Sequence, residues 1–406
     1  MINPHWPGCA WDTPRPNLIG LKTRAANVAH CAPLAFGAIL PQQISTSETA
    51  VLQPLIPTET DRPFLHLLAE ATVSLNASVL IEPTYRHIGE IHHSNTRRVF
   101  VGNALSVNAD AASALAADKT YTANRLAAAG LPTAPGCLIV SDRFRRGLAL
   151  KSPAAARALP PDKTAQTFAE THGYPVFVKP NKGAEGADVT CANNPKDLQA
   201  DVADLLSHTT HARIEAAIPG ADYRLLVLDG RVRAAYRRAS LTITGDGTSS
   251  VADLIATKLD ALSQTGRGRR IASTDPRLVR SLTAAKLTLD DIPHSDQTVA
   301  LLPNANLSTG GTLTDLTDQL PQTAAEVAIR AADTLRLRLA GVDLMAERLT
   351  QPTLLEINSA PGLDAYAQSS AGAWANARQI LIDALTAPNH VSINIPAGGT
   401  PKANHT

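Results

Sequence analysis

A carboxylate and an amide stand two residues apart in an otherwise apolar run, Leu354-Leu355-Glu356-Ile357-Asn358. Strand side chains alternate between faces, so Glu356 and Asn358 share one face, and Pro361-Gly362 then end the element. Asp343 interrupts an earlier apolar run, AGVDLMAE, with AERLTQPT supplying the turn between the two. Antiparallel pairing would bring Asp343 beside Glu356 and Asn358. Two carboxylates and an amide oxygen are hard donors suited to magnesium and too few to fill its shell, which water and phosphate oxygens normally complete. A solvated sheet edge is the plain alternative, but it leaves unexplained why three such groups converge among Leu, Val, Ile and Met.

Two further stretches carry polar residues in apolar surroundings. Lys179 stands at the end of the apolar run in YPVFVKP, just before Pro180, and the loop after it holds Gly183 and Gly186. Such loops bring backbone N–H groups close to phosphate oxygens while a lysine supplies a point charge. The loop matches neither GxxxxGK[ST] nor GxGxxG, and a glycine-containing hairpin beside an exposed lysine would look similar. In RIEAAIPGADYRLLV, Glu215 and Asp222 stand at a connection between apolar runs, where a carboxylate can accept from an adenine amino group or a ribose hydroxyl. Acidic residues at strand ends are commonplace, so this stretch is unspecific alone. His92-His93 reads as a solvated turn, and no Ser–His or Cys–His arrangement is convincing.

These residues need strands and helices to hold them. A chain of 406 residues allows two or three domains with ample cores. With 44% apolar and 18% charged residues the composition is that of a soluble globular protein, and a net charge of +1 argues against nucleic-acid or anionic-membrane partners. Cys9, Cys31, Cys137 and Cys191 are far apart, without CxxC or zinc-like spacing, and read as reduced thiols in a cytoplasmic protein. The N-terminus lacks a signal-peptide pattern, and no apolar run reaches the roughly 18 residues of a membrane span. Periodicity predicts coil over 1–45, helix over 64–76, strands in ASVLIEP and RRVFVG, and one helix over 110–129 closed by Gly130. A strand in LPTAPGCLIV leads into 141–163, which breaks all periodicity and reads as an exposed insertion or mobile loop. YPVFVKP is a buried strand, and 222–238 is two strands about Asp229-Gly230. A helix over about 322–338, the two strands of the first paragraph, a helix over 374–385 and a polar tail complete the chain. Alternating strands and helices make the class α/β or α+β.

Taken in order, ADKTYTANRLAAAGLPTAPG, YPVFVKPNKGAEGADV, IEAAIPGADYRLLVLDGRVRAAYRR, TGDGTSSVADLI, NLSTGGTLTDLTD, AGVDLMAE and LLEINSAPGLD resemble the ATP-grasp carboxylate–amine ligases. The likeness is strongest to the ATP-grasp module of cyanophycin synthetases and the glutathione-forming part of bifunctional glutathione synthetases. It implies an ATP-grasp fold with an N-terminal pre-ATP-grasp substrate domain (1–115), a central subdomain (116–213), a C-terminal subdomain with the metal site (214–390) and a flexible tail (391–406). By the resemblance Lys119 and Lys179 hold ATP phosphates, and the lid loop includes Gly183, Ala184, Glu185 and Gly186. Glu215, Ile218 and Asp222 lie at the adenine and ribose, while Asp343, Glu356 and Asn358 hold one or two Mg2+ ions, with Mn2+ able to replace them. Arg238 steadies an acyl phosphate and, with Lys179, forms the catalytic set. Asn306, Thr309, Gly310 and Gly311 match a loop lining the acceptor side, and Pro361 and Gly362 are further substrate residues.

The chemistry so implied is ADP-forming amide synthesis between an amino-acid or peptide carboxylate and an amine, in a cytoplasmic enzyme that is often oligomeric in the family. A phosphotransferase of the same fold, intramolecular lactam formation, and an ATP-binding regulator without turnover are the other readings. The chain ends where cyanophycin synthetases continue into a Mur-ligase-like half, so iterative polymer building is not expected. It also has Leu302 where relatives carry arginine, and Gln319-Leu320-Pro321 where they carry His-Pro. Both are expected on the substrate side, giving the same chemistry on different substrates.

Overall fold

Four antiparallel sheets organise the computed structural model, which describes residues 52–183, 186–264, 272, 275–303 and 305–386. The coil expected over 1–45, the tail over 391–406 and the lid residues Ala184 and Glu185 lie outside the described residues. The first sheet is a meander of β1 (Gln53–Pro54), β2 (Ser78–Ile81), β3 (Ile88–His93) and β4 (Thr96–Val101). Helices Pro63–Ser74 and Ala371–Thr386 share its core through Phe64, Leu67, Ile91, Phe100 and Ile380. His92 and His93 end β3 rather than forming a turn, which falls on Ser94 and Asn95, and His92 Nε2 lies 2.9 Å from Glu90.

The central sheet contains β5 (Gly136–Val140), β6 (Val176–Pro180), β7 (Thr190–Ala192) and β8 (His211–Ala216), ordered β5-β8-β6-β7. Helices Thr164–His172 and Pro195–His208 pack on it against Val176, Val178, Ala212 and Ile214. Alternation therefore sends Phe177 and Lys179 of β6, and Arg213 and Glu215 of β8, to the opposite face. A division between residues 213 and 214 would cut β8, so this sheet extends to Ala216.

In the C-terminal half, β9 (Ala221–Leu228) and β10 (Arg231–Ala239) form a hairpin whose Asp229 and Gly230 both have left-handed φ, 48° and 74°. That is the combination a type I′ turn requires, and it explains the Asp-Gly pair. Next come β11 (Thr242–Thr244) and β12 (Thr298–Ala300), which pair and enclose helices Val251–Gln264 and Pro276–Ala284 around a small apolar core. Then β13 (Thr312–Asp315), β14 (Leu339–Ala346) and β15 (Thr353–Asn358) complete a five-stranded sheet ordered β13-β10-β9-β14-β15. Helix Gln322–Thr334 covers one face of it against Leu225, Val227, Val342 and Leu344, leaving Arg224, Asp343 and Arg238 on the other.

Three expectations need correction. The helix expected over 110–129 is two, Asp110–Ala116 and Lys119–Ala128, because the Asp118 side chain accepts from Tyr121 N and starts a new helix. The stretch 141–163 is not aperiodic loop but helices Asp142–Lys151 and Pro153–Arg157, capped by Ser141 and Ser152 and lacking any buried side chain. Its capping signals were present, but its hydrophobic pattern was not, because no face needs to be buried. The helix from Gln322 stops at Thr334, and Arg336 takes a left-handed φ of 58° in the turn that follows.

Candidate active site

A cavity of about 410 Å³ opens between the central and C-terminal sheets. One wall carries cations. Lys119 begins its helix, and Asn181, buried just past β6, anchors it: Asn181 O accepts from Lys119 N at 2.9 Å and Asn181 Oδ1 from Thr120 N at 3.0 Å. Lys119 Nζ donates to Gly183 O at 2.8 Å and lies 3.4 Å from Glu356 Oε2. Lys179, at the end of β6, donates to Glu215 Oε1 at 2.5 Å, and Arg213 Nε donates to Glu215 Oε2 at 2.8 Å.

The facing wall carries anions. β14 and β15 place Asp343 directly opposite Glu356. The pairing shifts between Asp343 and Leu344, so that Glu356 opposes Asp343 while Leu354 opposes Leu344, leaving Leu355 unpaired as a bulge. Leu354 consequently points into the helix-side core, whereas Leu355 and Glu356 both line the cavity. Asn358 Nδ2 donates to Glu356 Oε1 at 3.2 Å and to Asp343 Oδ2 at 3.5 Å. Asp343 also accepts from Arg224 through both oxygens, at 2.8 Å on Oδ2, and has Arg238 Nη2 3.2 Å away. Arg238 in turn pairs with Asp222 at 2.6 Å.

Electrostatics follow from this crowding. Burial would raise the pKa of Glu356, but Lys119, Lys179 and Arg224 outweigh it and hold the carboxyl at about 2. Asp222 behaves oppositely: burial, reinforced by Asp343, pushes it up to about 6 against the pull of Arg238. Arg224 loses by burial and gains more from Asp343, so it is pinned as a cation.

The donor set fits a hard divalent cation. Two carboxylates stand side by side, and rotation of the Asn358 amide would turn its oxygen toward them. Among the described residues no three His, Cys, Asp or Glu side chains form such a cluster, so a cation held here would take its remaining oxygens from the amide and from ligands outside the chain.

Of the residues singled out from sequence, Lys119, Lys179, Gly183, Gly186, Glu215, Ile218, Asp222, Arg238, Asn306, Asp343 and Glu356 line this cavity. Asn358 touches it through its two carboxylate neighbours. Thr309, Gly310 and Gly311 do not line it: Thr309 Oγ1 and Gly311 N both donate to Asn306 O, and Gly310 turns at φ 90° against Leu241 and Leu262. Thr309 and Gly311 hold Asn306 in place. Pro361 packs over Gly341 and Gly362 faces Asn103, so both lie outside the cavity. Leu302 is buried in the small core of the β11–β12 region, and Leu320 packs against the core under helix Gln322–Thr334. Neither leucine side chain lines the cavity. Sequence reading missed Arg224, Arg213 and Asn181. The first two stand two residues from Asp222 and Glu215, the same-face spacing that picked out Glu356 and Asn358.

Residues 303–383 match the model of the RimK-like ATP-grasp domain. It is 28% identical over 291 residues to cyanophycin synthetase of Geminocystis herdmanii, covering 68% of this chain and 31% of that protein. It is 31% identical over 198 residues to the glutathione biosynthesis bifunctional protein GshAB of Listeria welshimeri, covering 46% of this chain and 26% of that protein. The chain thus spans between a quarter and a third of the length of these curated relatives. Among solved structures it is similar to a bifunctional glutathione synthetase from Pasteurella multocida, with a TM-score of 0.45, 21% identity and coverage of 75% of this chain and 41% of that one.

Proposed function

We propose that this protein is an ATP-dependent ligase joining an amino-acid or small-peptide carboxylate to an amine through an acyl phosphate, releasing ADP and phosphate. One observation carries the reading: Asp343 and Glu356 stand paired across adjacent strands, opposite Lys119 and Lys179, in a single cavity. A carboxylate is a poor electrophile in water, and phosphorylation turns it into one. Phosphoryl transfer asks a protein mainly for positioning and charge neutralisation. In this reading Lys119 and Lys179 take phosphate oxygens, Glu215 and Ile218 face the adenine, Asp222 the ribose, and the loop from Gly183 to Gly186 covers the phosphates. Asp343, Glu356 and Asn358 would hold magnesium, which neutralises phosphate charge when bound. Arg238, held in the cleft by Asp222, offers its guanidinium to the acyl phosphate, and Asn306 faces the acceptor. Residues 1–115, 116–213 and 214–390 serve as substrate, central and metal-bearing domains, with the second boundary moved past Ala216.

The relatives' names support amide synthesis from amino acids. A cytoplasmic setting suits the free Cys137 and Cys191, and no helix among the described residues is long and apolar enough to cross a membrane. The test is incubation with ATP, magnesium and an amino-acid panel, followed by phosphate release and mass spectrometry. ADP, phosphate and a product lighter by one water than its substrates are expected. A phosphorylated product formed without an amine would favour a phosphotransferase, and nucleotide binding without turnover would refute enzymatic function.

A further inference from the structure

Behind Glu215 lies a cation that the proposed chemistry does not use. Arg213 is one of the largest fully buried side chains, 1% exposed. Its Nε donates to Glu215 Oε2 at 2.8 Å and its Nη2 to Ala134 O at 2.9 Å. Ala134 N donates to Leu354 O at 3.0 Å, on the strand that bears Glu356. Room for the guanidinium exists because residue 136 is glycine: a Cβ there would sit 2.5 Å from Arg213 Cζ. Glu215 is therefore shared, one oxygen to Lys179 and the other to Arg213, so two buried cations divide one carboxylate.

The surplus charge has a consequence for the exchange that nucleotide binding demands. To reach a phosphate, Lys179 must leave Glu215. With Lys179 and Glu215 alone, that departure would strand a buried carboxylate, which is costly. With Arg213 present, a neutral Arg213–Glu215 pair remains, and Glu215 Oε1 is freed as an acceptor for a neutral donor. We infer that Arg213 is a positioning residue for nucleotide capture, keeping Glu215 partnered and in place when Lys179 turns to phosphate. The inference rests on the ATP-dependent reading above.

The test is calorimetric titration of ADP with magnesium chloride into wild type, Arg213→Met, Glu215→Gln and the double variant, alongside thermal melts. Arg213→Met should weaken ADP binding roughly 30-fold, and in the Glu215→Gln background the same change should cost less than about threefold. KM for ATP should rise with little change in KM for the other substrates. Equal losses in both backgrounds, or unchanged ADP binding, would overturn the inference. Should Arg213→Met fail to fold, Arg213→Lys and Arg213→Gln alter the same guanidinium while keeping a polar group in its place. Each should weaken ADP binding only while Glu215 is present, and independence from Glu215 would again refute the idea. Wild-type protein that binds no ADP would instead overturn the ATP-dependent reading, and the inference with it.

Discussion

Arg224→Met gives the sharpest test of how the anionic wall is held. Arg224 lies within β9, its side chain 12% exposed, and grips both oxygens of Asp343 from the neighbouring strand. Removing one partner of a buried pair typically costs about 3–5 kcal/mol, mostly from the charge left behind. Here Asp343 keeps Arg238 at 3.2 Å and Asn358 at 3.5 Å, so the lower end applies, about 3 kcal/mol. Urea unfolding followed by far-UV circular dichroism would measure it. Asp343→Asn removes the stranded charge, so the double variant should recover a large share, giving a coupling energy of at least about 2 kcal/mol. The guanidinium also lies across Gly341, where a Cβ would meet Nη1 at 3.0 Å and Pro361 Cβ at 2.9 Å. Gly341→Ala should therefore disturb the same contact. A loss below about 1 kcal/mol for Arg224→Met, or additive effects with Asp343→Asn, would refute the reasoning.

Glu356→Gln should lower magnesium-dependent ATP turnover at least about 100-fold while the circular dichroism spectrum stays native, and wild-type turnover would sink the metal assignment. Gly220 has φ 115° and its Cβ position lies 2.1 Å from the Ala346 carbonyl carbon, so Gly220→Ala should cost more than about 2 kcal/mol by urea unfolding. Burial pushes the Cys137 thiol up to about 11, so alkylation at pH 8, read by peptide mass spectrometry, should be slow on the folded protein and fast after unfolding. Because the folded pKa is raised, that contribution to stability is complete below pH 9.0 and fades as pH climbs toward about 11.

Much of the site was legible because strand alternation is a local rule. It put Glu356 and Asn358 on one face, and the Asp-Gly pair fixed the β9–β10 hairpin. What escaped depended on distant partners. Arg213 and Arg224 look like ordinary surface arginines until Gly136 and Asp343 are brought beside them from elsewhere in the chain. The split at Asp118 was missed because a capping aspartate also sits comfortably inside a helical pattern. Thr309, Gly310 and Gly311 resemble a ligand loop by composition, yet the Thr309 hydroxyl and the Gly311 N–H turn inward to brace Asn306, and the Gly310 N–H donates to Leu307 O.

The unpaired Leu355 also sets how this chain can change. Leu344 pairs with Leu354 and Asp343 with Glu356, so a strand without Leu355 would be a regular ladder with Glu356 still opposite Asp343 and Ile357 still opposite Val342. The charged wall would survive such a shortening, whereas losing Glu356 itself would put an apolar side chain opposite Asp343. Leu355 is therefore slack in the strand: its removal changes the lining of the cavity but not the meeting of the two carboxylates.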